Sequence, residues 1–128
     1  MPTVQEKLML ARRHLARIQL DPEDLDDLSI YGLYCLEAAV EAAALHVQIK
    51  VTKQHWEKAN AAVELHTQHG LPDIYDLLND LNDSGKAVAY GDVEAPDFED
   101  RDVAIEIERY VEAVEELVDS DDGQRLFD

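Results

Sequence analysis

The stretch LNDLNDSGKAVAYGD, residues 78–92, holds the side chains best placed to do chemistry. On a helix, Asn79, Asn82, Lys86 and Tyr90 step by three or four residues and fall on one polar row, with Asp92 just beyond it. The row runs beside an apolar stripe through Leu81, Gly85 and Val88, so it borders a groove or an interface. Gly85 costs about 1 kcal/mol relative to alanine inside a helix, which makes sense on a buried side if another backbone comes close. A helix kinked or interrupted at Asp83-Ser84-Gly85 is the competing explanation.

Other groups are weaker candidates. His66 and His69 share a helical face, but bundle di-metal sites use Glu-x-x-His pairs and the chain has none. Their place near a helix C-terminus suits imidazoles stabilised by the dipole, so no metal or other cofactor is expected. His14, His46 and His55 have no companions at ligand spacing. Glu37 and Glu41 share a face of the second helix, and paired carboxylates do acid–base work when one is desolvated; in a chain this acidic such pairs also arise by chance. No Ser/Cys–His nucleophile arrangement, Gly-rich phosphate loop or zinc-spaced cysteine set is present.

Lys7, Arg12, Arg13 and Arg17 place four of the eleven basic side chains in the first seventeen positions. They form either a local patch for RNA phosphate or an acidic partner, or cations paired with acids on neighbouring helices, the second being preferred. The rest of the chain is acidic. Its 29 Asp and Glu give a formal charge of −18, which repels polyanions and argues against unaided nucleic-acid binding. The same composition, with only five lysines, also fits a surface adapted to concentrated salt.

These groups need helices to position them. The 128 residues suit one domain, and 3.6-period stripes recur from end to end without strand-like alternation. The expected fold is all-α, an antiparallel up-and-down bundle of four or five helices. Thr3-Val-Gln-Glu6 is a capping box opening a first helix to about Leu20, with Val4, Leu8, Ala11, Leu15 and Ile18 on one face. Asp21-Pro22 starts a long alanine-rich second helix that reaches about Val51. Thr52 caps a third helix ending at Gly70, a fourth follows Leu71-Pro72-Asp73, and GDVEAPDFED is a loop. The last helix repeats Val103, Ile107, Tyr110, Val111, Val114, Leu117 and Val118.

The domain is expected to span residues 1–118, with 119–128 an acidic, mobile tail. Cys35, the lone cysteine, sits in an apolar stretch and reads as a small buried hydrophobe in a reduced compartment. No run looks long enough to cross a bilayer, so the expected location is cytoplasmic, with no membrane association.

From Asp24 to Val118 the order of elements resembles the HEPN family, small helical bundles often encoded beside minimal nucleotidyltransferases. The segments that carry the resemblance are YGLYCLEAAVEAAALH, AAVELHTQHG, LNDLNDSGKAVAYGD and ERYVEAVEELV. Ribonuclease members carry an Arg-x4–6-His motif near the dimer interface, which cleaves RNA without metal. Here Gly85-Lys86 stands where the arginine would fall and Tyr90 where the histidine would. Lysine lacks the planar fork that grips phosphate, and tyrosine, with an ordinary pKa of about 10, is a poor proton shuttle at neutral pH. The resemblance therefore implies the fold and a homodimer more than nuclease activity.

The leading expectation is a non-catalytic partner module, homodimeric through the fourth-helix face. A nucleotidyltransferase would be its partner, or a nucleotide or RNA would lie in the groove of Asn79, Asn82, Lys86, Tyr90 and Asp92. The rivals are a toxin-like, metal-independent ribonuclease using Lys86 and Tyr90, and a purely structural helical protein.

Overall fold

Thr3 starts the first helix as its type and spacing predict: its hydroxyl oxygen accepts a hydrogen bond from the Glu6 N–H at 3.1 Å. In the computed structural model that describes residues 3–21, 27–52, 54–90 and 102–127, with backbone alone over 85–90 and 121–127, helix α1 covers Val4–Gln19. It buries the predicted stripe of Leu8, Ala11, Leu15 and Ile18. Among the described residues there are five helices and no strand, so the fold is an all-α helical bundle.

Helix α2, Leu28–Val47, is central. Its first five residues, Leu28–Gly32, wind as a π-helical turn and Leu33–Val47 as α-helix. Ala38, Ala39, Ala42 and Ala43 are all buried, because small side chains let neighbours approach on several sides at once. One such approach brings the Cys35 thiol to the Ala11 carbonyl, which accepts its hydrogen bond at 3.2 Å. Contrary to the reading that no run is long enough, α2 has the length and apolar content of a membrane span; most of it is buried inside the bundle, as a core helix also is.

The expected continuation of α2 to Val51 is corrected. Gln48 takes a left-handed conformation, φ 66°, and the Ile49 N–H returns to the Ala44 carbonyl at 2.8 Å, which closes the helix at Val47. The expected start at Asp21-Pro22 falls on residues 22–26, outside those described.

Helix α3 covers His55–His69 and ends at Gly70, φ 74°, in the expected left-handed cap. Its cap is Gln54, two residues later than the expected Thr52. Thr52 lies before the helix, accepting from the Gln54 N–H at 3.3 Å while its own N–H donates to Glu57 at 3.1 Å. Helix α4, Tyr75–Tyr90, follows Asp73, whose carboxylate accepts from the Tyr75 N–H. It runs unbroken through Asp83, Ser84 and Gly85, so the helical phasing holds over the turn-like composition. Helix α5 covers Val103–Phe127, continuing past Val118 through an acidic segment that no proline interrupts. The predicted loop GDVEAPDFED, residues 91–100, lies outside those described.

Side-chain pairs give the registers. Lys7 with Glu41, Ala11 with Cys35 and Arg17 with Asp27 set α1 antiparallel to α2. Arg12 with Glu115 and Gln19 with Glu108 do the same for α1 and α5. Ser29 bonded to Ser84 in the interior, and Gly32 beside Leu81, set α2 antiparallel to α4. The connection from Val47 to His55 doubles back, so that the first turn of α3 lies against Glu37 and Glu41 at the middle of α2. A glycine hemmed in by another helix is found at Gly32, where the neighbours are side chains: an added Cβ would stand 2.9 Å from the Ile107 terminal methyl.

Candidate functional site

The predicted polar row lies on α4, and its first member is already engaged. Asn79 Oδ1 accepts a hydrogen bond from His55 Nε2 at 3.0 Å, tying the row to the start of α3. Asn82 is half-buried one turn further on. Lys86 and Tyr90 belong to the same helix, but their side chains, like the whole of Asp92, lie outside the described residues. Trp56, next to His55 in sequence, is 58% exposed, with its indole N–H donated to the Gln54 side chain. The start of α3, which His55 ties to the row, therefore carries a large apolar ring open to solvent.

Behind Asn79 runs a chain of ionisable groups that joins four helices. Lys58 on α3 is buried, with its ammonium 3.4 Å from Glu37 and 3.1 Å from Glu41 on α2. Lys7 on α1 pairs with the other oxygen of Glu41. His55 Nδ1 stands 3.8 Å from Glu37, while its Nε2 reaches α4 through Asn79. Desolvation pushes the Glu41 carboxyl up, but hydrogen bonds and charge from Lys7 and Lys58 outweigh it and hold the group below the ordinary carboxylate range. Desolvation lowers the Lys58 amine, and the two carboxylates more than offset it, so its pKa is raised. Both groups stay charged at neutral pH. Glu41 is thus held ionised by its two cations despite its burial.

Glu37 and Glu41 were read from the sequence as a shared face, but their cations were not. Lys58 looks like any helix lysine, and His55 lacks companions in sequence because its companions stand on α2 and α4. The only available signal was charge balance: an adjacent acid pair on a core helix needs cations from elsewhere.

The basic residues of α1 divide. Arg12 holds Glu115 of α5 with two guanidinium nitrogens, and that bond, set against partial burial, raises its already high pKa. Arg17 lies 3.9 Å from Asp27 and 4.9 Å from the centre of the Tyr31 ring, which also meets His14 at 6.0 Å. His14 and Tyr31 both contact Tyr34, half of which is open to solvent. Burial, helped by the Arg13 charge, lowers the His14 pKa and favours its neutral form. Arg13 is exposed and, among the described residues, enters no ion pair. Three of the four cations are drawn into pairs, as the preferred reading has it, and one is not.

His66 hydrogen-bonds the Leu71 carbonyl at 2.7 Å across the turn after α3, and both His66 and His69 are exposed. Among the described residues no three His, Cys, Asp or Glu side chains converge as metal ligands do. Burial pushes the Cys35 thiol up to about 12, so it rests as an unreactive thiol in the core. Compared with protein-family models, curated proteins and solved structures, the chain matches none of them.

Proposed function

We propose that the chain is a non-catalytic, HEPN-like binding module that self-associates, and that it engages a different protein through the α4 row and the adjoining start of α3. The observation that carries the reading is the mutual neutralisation of Lys7, Glu41, Lys58 and Glu37. These ion pairs hold helices together, and Glu41 and Lys58 are shifted toward their charged forms, which suits a scaffold better than a proton-transfer site. Trp56 supports a contact role, since exposed tryptophan is the side chain most often found at the energetic centre of interfaces. A minimal nucleotidyltransferase is the proposed partner, with a nucleotide or RNA in the groove as the ligand version of the same reading.

The test has two arms. Purified at native salt from its host, the tagged chain is expected to bring down a second protein in stoichiometric amount, and Trp56→Ala is expected to lower that yield. RNA incubated with concentrated protein in EDTA is expected to remain intact. Cleavage that disappears in both Lys86→Ala and Tyr90→Phe would overturn the reading in favour of a ribonuclease.

A further inference from the structure

The crest of α1 is the positive face of a strongly negative molecule. Met9, 65% exposed, and Arg13 together separate two open grooves. One is lined by Glu6, Lys7 and Leu10, the other by Gln5, Leu8, Arg12, Glu115 and Asp119 between α1 and α5. Leu20, 82% exposed, continues the crest toward the other end of α1. Beside it α5 presents mostly the opposite charge, with Glu112, Glu116 and Asp119 exposed and one cation, Arg109, a turn before them. A basic, partly apolar helix therefore lies next to an acidic one, antiparallel and at matched height through the Arg12–Glu115 pair.

We infer that the α1–α5 face, rather than the fourth-helix face expected from the sequence, is where a second copy of this chain docks. This rests on the self-association proposed above and names its surface. Two molecules of charge −18 repel over most of their area, so a second copy settles where opposite charges meet. A two-fold axis running along the helices, between α1 and α5, sets each α1 over the α5 of the other copy without changing height along the helix. Arg13, which among the described residues enters no ion pair, then meets Glu112 and Glu116 of the second copy, and Met9 is covered in the same contact. Both copies supply the same two helices, so the contact closes as a dimer and leaves the α4 row and Trp56 free for a partner.

Sedimentation equilibrium at native salt tests this with a charge exchange. The wild type is expected to be a dimer, and Arg13→Glu to weaken dimerisation by about tenfold or more. The double variant Arg13→Glu/Glu116→Arg restores the attraction with its signs reversed and is expected to recover most of the wild-type affinity. Circular dichroism melts of each variant separate lost docking from lost folding. A dimer unchanged by Arg13→Glu, or a double variant as weak as the single one, overturns the assignment while self-association stands; a monomeric wild type removes self-association itself.

Discussion

Lys58 shows how one buried cation sets the chemistry around it. With Glu37 and Glu41 within 3.4 Å, its removal leaves two half-buried carboxylates short of a counter-charge. Lys58→Met should lower stability by about 2 kcal/mol in urea melts, discounted from the cost of breaking a fully buried pair because Lys7 still serves Glu41. The pH profile gives a second readout. Glu41, depressed in the folded chain, contributes stability that is complete above its unfolded value, about 4.3, and is lost as pH falls through the lower folded value. Lys58, raised in the folded chain, contributes below its unfolded value, about 10.4, and that share is lost as pH rises through the higher folded value. The wild-type melting temperature should be flat near neutrality and fall at both extremes, whereas in Lys58→Met the alkaline loss shrinks. None of this was legible at residue level, because charge pairing between α2 and α3 depends on how the chain doubles back after Val47. The α4 row could be read from spacing, but not the bond that commits Asn79 to His55.

Among the elements, helix identities were legible and helix ends less so. The stripes of α1 and α5 and the Gly70 cap follow from local pattern, which the structure keeps. The end of α2 was not legible, since glutamine seldom takes the left-handed cap that Gln48 adopts. Its π-helical first turn has no sequence signature either. Two glycines separate the local from the tertiary contribution. At Gly70 an added Cβ meets nothing within 4 Å, so Gly70→Ala costs only the left-handed backbone, about 1 kcal/mol. At Gly32, in the π-helical turn, the backbone angles are right-handed ones that any residue adopts, and the cost comes from displacing Ile107 and crowding Leu81 in a filled core. Enlarging the side chain without β-branching should therefore separate the sites: thermal melts are expected to show Gly32→Leu well below Gly32→Ala, with Gly70→Leu close to Gly70→Ala.

For the molecule as a whole, a negative surface surrounds a core that α2 threads. The all-α class was legible because every stripe had the same period, and the helix registers were not, because they rest on pairs far apart in sequence such as Arg12 with Glu115. The chain of contacts from Lys7 through Glu41, Lys58, Glu37 and His55 to Asn79 has a consequence for motion. It crosses α1, α2, α3 and α4, so that none of these helices can swing away without stranding a charge or a ring nitrogen on the next. Native-state hydrogen exchange should accordingly find the interior amides of α1 to α4 opening with one common free energy. In Lys58→Met that single unit should split, α3 exchanging ahead of the others, which would make a lysine the element that lets four helices open as one.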